Sequence, residues 1–222
     1  MTTVLDLRST LSFLDNLGKN NTKAWFDTNR GAYEEARDRF AQFIDHLIDA
    51  LRDSDQLHGL SAKDCIARIN RDTRFAKDKS PYKTNLSAAI APGGRKSEKL
   101  GYHVAVEPAG QSMIAGGLYM PTAAQLAKYR QAVDQNATEL KMIAHDTTFT
   151  HAFGTIEGEK LATAPQGFSR THPEIELLKL KQVVVVHHFA DTDVIAPDFF
   201  GQVVNVCQAM KPFLDYLNRV LQ

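Results

Sequence analysis

The middle of the chain contains short apolar segments that are each bounded by Gly or Pro, and this feature limits the fold more than any other. In GYHVAVEP (101–108), large apolar residues recur at every second position, as expected of a strand with one side facing water: Tyr102, Val104 and Val106. Consecutive short strands joined by tight loops are typical of an antiparallel meander. The other two segments are TNLSAAIAP (84–92) and QSMIAGGLYMP (111–121).

Helical spacing dominates on both sides of these segments. Apolar residues recur at intervals of three and four, which predicts amphipathic helices at both ends of the chain. A central helix is expected to open at Pro121 or Thr122, and a C-terminal helix follows Pro197. The sequence therefore predicts one α+β domain over residues 1–222, with a largely antiparallel sheet flanked by long N-terminal, central and C-terminal helices. Its parts are a helical region at about 9–53, a sheet-rich region at about 64–120 and a mixed helical region at about 122–222.

Composition narrows the class of protein. Hydrophobic residues make up 43% of the 222 residues, a fraction typical of a globular protein. The 26 basic and 26 acidic residues cancel, so any attraction to nucleic acid must be local. Cys65 and Cys207 are too few and too far apart for a disulfide framework or a thiolate zinc site. Two unpaired thiols fit a reducing cytosol, so we expect a cytoplasmic protein. We expect no membrane span, because the longest aliphatic run is VVVV at 183–186.

The strongest local signal is a cationic segment, RINRDTRFAKDKSPYK at 68–83. It has six basic residues and two aspartates, and therefore a net charge of +4 within a neutral chain. Arginine offers a planar fork for carboxylate or phosphate, and restrained cations lose less entropy when an anion binds. The segment is thus predicted to bind an anionic ligand, including phosphate-bearing ones, through Arg68, Asn70, Arg71, Arg74, Lys77, Lys79, Tyr82 and Lys83.

Two aromatic residues bracket the lysines of this segment. Burial of Phe75 and Tyr82 would stabilise each by several kcal/mol at roughly 25 cal/mol per Å², so both are expected to anchor the loop. Ser80-Pro81 adds stiffness, because proline fixes its own φ and favours an extended residue before it.

Asp72 is the candidate for proton transfer or ligand orientation. If CIARINRD (65–72) is a strand, Asp72 shares a face with Arg68 and Asn70, and that face could adjoin His103 and Glu107. An internal ion-pair network built on Asp72 and Asp78 would use the same residues, and both interpretations stay open here.

Other chemistry has little support in the sequence. GGRKS at 93–97 lacks the spacing of a phosphate-binding P-loop, and no dinucleotide, hydrolase or zincin motif is present. His187 and His188 would point to opposite faces of a strand, so no metal is predicted, and no cofactor. A separate polar and aromatic patch around Asn21 and Trp25 is interpreted mainly as a core anchor.

Two alternatives to a small-ligand site remain. The same basic surface could dock an acidic protein or nucleic acid without catalysis. The segment could also be scaffold, with the working surface near GEKLATAPQGFSR at 158–170. None of these patterns assigns a reaction or an oligomeric state.

Four stretches of the sequence together carry a family resemblance. They are FLDNLGKNNTKAWFDTNRGAY, RINRDTRFAKDKSPYKTN, GYHVAVEPAGQSMIAGGLYMP and PQGFSRTHPEIELLKLK. In these stretches the chain resembles the uncharacterised conserved hypothetical proteins of bacteria and fungi, domain of unknown function 2461. The resemblance implies a compact intracellular domain whose distinguishing residues include the cationic segment, and it implies no chemical role for any residue.

Overall fold

The structure is a computed structural model that describes residues 5–222. Its longer helices are α1 (Arg8–Lys19), α3 (Arg30–Leu51), α5 (Ala123–Gln135), α6 (Thr138–His145) and α10 (Phe199–Leu221). The shorter ones are α2 (Lys23–Thr28), α4 (Ala62–Cys65), α7 (Thr147–Phe153), α8 (Ile175–Leu178) and α9 (Asp191–Val194). The strands are β1 (Leu86–Ile90), β2 (Tyr102–Val106), β3 (Ser112–Leu118) and β4 (Val183–Phe189).

The four strands form one antiparallel sheet in the order β1-β2-β3-β4, which confirms the predicted α+β class and the meander. Leu86 pairs with Val106 and Ile90 with Tyr102. The predicted buried side of β2 is confirmed, because Tyr102, Val104 and Val106 are all buried, but the alternation is incomplete, since Ala105 between them is buried as well. Each loop joins neighbouring strands over a short distance except the long connection to β4, which contains α5 to α8.

Local sequence explains where the central helix begins and ends. Thr122 caps α5: its Oγ1 accepts a hydrogen bond from Gln125 N at 3.2 Å, and Gln125 Oε1 accepts one from Thr122 N at 2.9 Å. The apolar residues at helical spacing that follow Thr122 extend beyond α5 into α6, and the two helices are separated by a break at Asn136 and Ala137. Pro212 lies inside α10.

One predicted strand is wrong. Residues 65–72 are not a continuous strand, because α4 includes Cys65 and only isolated bridges follow it, at Ile66 and Asn70. Ser61 explains the difference: its N and Oγ both donate to Asp64 Oδ2, at 3.1 and 2.7 Å, and this capping arrangement favours a helical turn. The face proposed for Arg68, Asn70 and Asp72 therefore has no strand to define it.

The described chain divides into two compact units. The first comprises residues 5–98, 102–114 and 188–205, and its core includes the buried stripe of α3, which contacts α1 and β1. The second comprises residues 99–101, 115–187 and 206–222, and its core includes the Phe149 and Phe213 rings, whose centroids lie 5.9 Å apart. The single domain inferred from the sequence stays a prediction. Within residues 5–222, no helix combines the length and apolar character needed to cross a membrane.

Candidate functional site

The cationic segment folds back on itself as a narrow loop in the first unit. Its two arms are joined by backbone hydrogen bonds from Arg71 N to Pro81 O at 2.9 Å and from Lys83 N to Ile69 O at 2.8 Å. Between them, Asn70 and Tyr82 form an antiparallel bridge. The loop proper is therefore residues 72–80, held at a base that leads directly into β1.

Tyr82 anchors that base, as predicted. The residue is 7% exposed, and its ring stacks on Phe26 with centroids 4.0 Å apart and planes 14° from parallel. Asn21 binds both backbone groups of Tyr82: its Nδ2 donates to Tyr82 O at 3.0 Å, and Tyr82 N donates to its Oδ1 at 3.1 Å. The separate patch expected around Asn21 thus belongs to the same site, while Trp25 packs near Phe13 with ring centroids 6.0 Å apart.

The second predicted anchor is wrong. Phe75 is 95% exposed, so the loop is pinned at its base and not at its tip. The Arg74 guanidinium lies 6.0 Å from the ring centroid. Because almost none of the ring is covered, burial cannot stabilise this side chain.

Two of the six cations are paired with aspartates of the loop. Arg74 Nε donates to Asp72 Oδ1 at 2.9 Å, and Arg71 Nη1 donates to Asp78 Oδ2. These contacts lower the pKa of Asp72, chiefly through the Arg74 side chain, and the pKa of Asp78, chiefly through hydrogen bonds from Ser80 and then from Arg71. The ion-pair network considered from the sequence is therefore present, but it involves only these two arginines.

The other four cations have no carboxylate partner among residues 5–222. Lys79 Nζ donates to the backbone oxygen of Thr73 at 2.9 Å, which ties two points of the loop together. Arg68 and Lys77 are exposed to solvent, whereas Lys83 is half-buried. The loop thus combines an internal network with cations that no carboxylate of the described chain neutralises.

A cavity of about 380 Å³ lies behind the loop. Three of the predicted ligand residues line it, namely Arg71, Tyr82 and Lys83, and the other five and Asp72 do not. The remaining lining residues are Gly18, Asn21, Asp78, Ser80, Thr84 and Asn85. The cavity adjoins the segment that the sequence predicts to bind a ligand, but most of the cations named for that segment lie outside its lining.

Lys83 is the electrostatic centre of this cavity. Partial burial lowers the pKa of its ammonium, and the nearby Arg68 guanidinium lowers it further. Desolvation lowers the pKa of His103, although the residue is exposed, and the Lys83 ammonium lowers it further. Repulsion between like charges thus acts from Arg68 on Lys83 and from Lys83 on His103.

Residues from outside the predicted segment complete the wall. Thr84 Oγ1 donates to Glu107 Oε1 at 2.8 Å, and Asn85 Nδ2 donates to Glu107 Oε2 at 3.0 Å. Glu107 therefore lies behind the wall and fixes two of its side chains. The sequence signal for Thr84 and Asn85 was their position as polar residues directly before β1. The stronger charge pattern of the neighbouring cationic segment drew the prediction away from them.

A second cavity, of about 360 Å³, lies within the second unit. Its lining includes both apolar and charged side chains. Among the charged ones, Lys141 Nζ is 2.7 Å from Glu174 Oε1, and Lys160 Nζ is 2.8 Å from Glu176 Oε2. This cavity includes part of the 158–170 stretch considered as an alternative working surface, and both of its lysines are neutralised.

Comparison with known proteins identifies the family but no activity. A search of the curated proteins and a search of the solved structures each found no match. The family model described as "Conserved hypothetical protein (DUF2461)" matches residues 9–216, a range that includes the cationic segment and all the residues that line its cavity. The chain therefore belongs to the conserved hypothetical protein family DUF2461.

Proposed function

We propose that the cavity beside Lys83 binds a small anionic ligand, with phosphate-bearing molecules as the leading class. The observation that carries the proposal is a half-buried ammonium that lines a cavity and has no carboxylate partner among residues 5–222. Taking a charge out of water is costly unless an opposite charge compensates it. An anion from solution would supply that compensation.

The cavity is also arranged for recognition. Arg71 lies on its wall, and its link to Asp78 holds the guanidinium in place while leaving most of its five N–H donors for a ligand. Asn21 and Tyr82 fix the backbone next to Lys83 through two hydrogen bonds and a stacked ring. Groups that are fixed before binding lose little entropy when the ligand arrives.

The cations outside the cavity have a different proposed role. Arg68, Lys77 and Lys79 are exposed, and a cluster of one sign of charge raises the rate at which anions approach. Arg74 contributes less, because it lies outside the cavity lining and both its Nε and its Nη2 donate to Asp72, whereas Arg71 uses only Nη1 on Asp78. Asp72 stays only a prediction as a proton-transfer group, since a lowered pKa makes its carboxylate a weaker base.

We further propose that the protein works in the cytoplasm. Cys65 and Cys207 are both buried and unbridged, which fits a reducing compartment.

One observation favours the alternative, in which the loop docks an acidic protein or nucleic acid. Phe75 is exposed at the loop tip beside a guanidinium, and an aromatic ring among cations is suited to stack on unpaired bases. This function would use the tip of the loop, whereas the anion proposal uses its base. The two therefore involve different residues of one segment.

Isothermal titration calorimetry with a panel of anions tests the proposal. The panel comprises inorganic phosphate, a sugar phosphate, a nucleoside monophosphate, a dicarboxylate and a single-stranded oligonucleotide, each at low and high salt. We expect at least one small phosphate compound to bind with a stoichiometry of one, and Phe75→Ala to leave that binding unchanged. If only the oligonucleotide binds, with a steep salt dependence and with loss in Phe75→Ala, the docking function replaces the proposal.

A further inference from the structure

Thr84 and Asn85 form a part of the cavity wall that is uncharged, in contrast to Lys83. The carboxylate of Glu107 fixes both side chains. Thr84 Oγ1 and Asn85 Nδ2 lie 2.8 and 3.0 Å from the two oxygens of Glu107. Glu107 is itself held in place, because its backbone N donates to Ser112 Oγ at 3.0 Å and its backbone O accepts from the same hydroxyl at 2.9 Å. The carboxylate is therefore a rigid support for the wall.

This support determines what the wall offers to a ligand. An ionised carboxylate can only accept hydrogen bonds, so both neighbours must donate to it. The hydroxyl of Thr84 has a single hydrogen, which Glu107 takes, and only its lone pairs remain for the cavity. Asn85 turns its amide nitrogen towards Glu107, which leaves its carbonyl oxygen available as an acceptor. This wall consequently presents hydrogen-bond acceptors.

Two other lining residues present donors. Lys83 and Arg71 carry positive charge, and neither can accept a hydrogen bond. Asp78, which also lines the cavity, takes one N–H of Arg71 and leaves its other donors. A ligand that satisfies both sets of residues needs an anionic group for the cations and hydrogen-bond donors for Thr84 and Asn85. Hydroxyl groups suit these neutral acceptors, whereas an ammonium group in the same cavity would be repelled by Lys83 and Arg71.

We propose that the ligand is a phosphorylated polyol or sugar, with its phosphate beside Lys83 and its hydroxyls donating to Thr84 and Asn85. This inference rests on the proposed function and gives it a substrate class. The cavity volume of about 380 Å³ falls at the lower end of the range for small-molecule sites, which fits a ligand of this size. Glu107 is a positioning residue in this scheme, because it acts only through Thr84 and Asn85.

Calorimetry with matched phosphate esters tests the substrate class. The compounds are inorganic phosphate, butyl phosphate, glycerol phosphate and a hexose phosphate. Two added neutral hydrogen bonds are together worth about tenfold, so the hydroxylated esters should bind about tenfold more tightly than butyl phosphate. Equal affinities for butyl phosphate and the hydroxylated esters would overturn this inference and leave the anion site standing. No binding by any phosphate would remove the anion site itself.

A variant separates positioning from folding. Glutamine at position 107 carries an amide group that donates, so in Glu107→Gln one wall residue is released from donating to it. The preference for hydroxylated esters over butyl phosphate should fall at least about threefold, with the affinity for butyl phosphate unchanged. Glu34→Gln, the same change on an exposed helix face, is the matched control and should keep the full preference. An unaltered preference in a folded Glu107→Gln protein overturns the role of Glu107, and if that variant fails to fold, the wild-type comparison of esters decides the inference.

Discussion

Two cavities of nearly the same volume, about 380 and 360 Å³, lie in different units of the chain. They differ in whether a carboxylate pairs with the lysines that line them. In the second cavity, Lys141 and Lys160 each face a glutamate at less than 3 Å. In the first, Lys83 is half-buried and has no carboxylate partner within the described chain. Volume therefore does not distinguish the two cavities, but uncompensated charge does.

The difference has a physical consequence for binding. An anion entering the second cavity would have to displace a glutamate from each lysine, and it would lose as much electrostatic energy as it gained. In the first cavity Arg71 is already paired with Asp78, but an anion there gains a contact with Lys83 that no carboxylate of residues 5–222 makes. The following predictions test this contrast, beginning with the largest expected effect.

The largest effect is expected from the anchor of the first cavity. Tyr82→Ala removes a buried ring that stacks on Phe26, and loss of a large buried aromatic side chain costs about 3–5 kcal/mol of unfolding free energy. Denaturant unfolding measures the change. Phe75→Ala is the control and should stay within about 0.5 kcal/mol, because that ring is exposed. A similar loss in both variants would show that the tip is packed as well as the base.

The lysines themselves give the next largest effect. Lys83→Met keeps the length of the side chain and removes a charge-assisted hydrogen bond, which is worth about 1.5–3 kcal/mol, so the affinity for the anion should fall about ten- to a hundredfold. Lys141→Met makes the same change in the second cavity and should leave the affinity unaltered, since Glu174 already neutralises that lysine. Calorimetry with the best phosphate ester measures both. Equal losses would contradict the contrast between the cavities.

The affinity should also depend on pH through Lys83. Desolvation and the Arg68 guanidinium lower the pKa of its ammonium below the value of an ordinary lysine, which is about 10.4. Lys83 therefore loses its charge at a lower pH than an ordinary lysine does. A phosphate ester is fully ionised above its second pKa of about 6, and its own charge stays constant from pH 7.5 upward. We expect the affinity measured from about pH 7.5 to about pH 11, past the ordinary lysine pKa of about 10.4, to fall by up to about tenfold per pH unit above the Lys83 pKa. A flat profile over this whole range would show that Lys83 is not the group that binds the anion.

The same shift makes a signed prediction for stability. The folded state binds protons at Lys83 less readily than the unfolded state does, so in the window between the two pKa values the unfolding free energy rises with pH. Lys83→Met should lack that contribution, and the difference between wild type and variant, measured by urea unfolding, should grow in favour of the wild type as pH rises through this window. A difference of the opposite slope would mean that the folded state favours the charged ammonium.

The smallest effect is expected at the tip of the loop. Asp72→Asn breaks an exposed pair with Arg74 that does not line the cavity, and exposed pairs contribute little. The affinity for the phosphate ester should change less than about twofold. A large loss, together with an altered pH profile, would instead support the proton-transfer or orienting role that the sequence suggested for Asp72.

The sequence was most informative where a single local pattern decided the structure. Short apolar segments bounded by Gly and Pro predicted the meander, and Thr122 with Gln125 marked the start of α5. Both follow from contacts between residues close in the chain. The base of the cationic segment was identified for a similar reason, because Tyr82 and Lys83 lie within the unusual run of charge.

The remaining parts depend on contacts between distant residues. Asn21 reaches Tyr82 across 61 positions, and no local pattern predicts that its amide holds that peptide. Phe75 and Tyr82 look alike in the sequence, and only the position of Phe26 decides which of them is buried. Thr84 and Asn85 were missed because polar residues before a strand have many turn and capping roles.

The most direct test of the central claim is the position of a bound anion in a crystal. Crystals soaked with tungstate, a heavy analogue of phosphate, would show its site by anomalous scattering. We predict a peak in the cavity within hydrogen-bond reach of Lys83 Nζ, about 3 Å away, and none between Lys141 and Glu174. A peak confined to the tip near Arg74 and Lys77, with the cavity empty, would contradict the account.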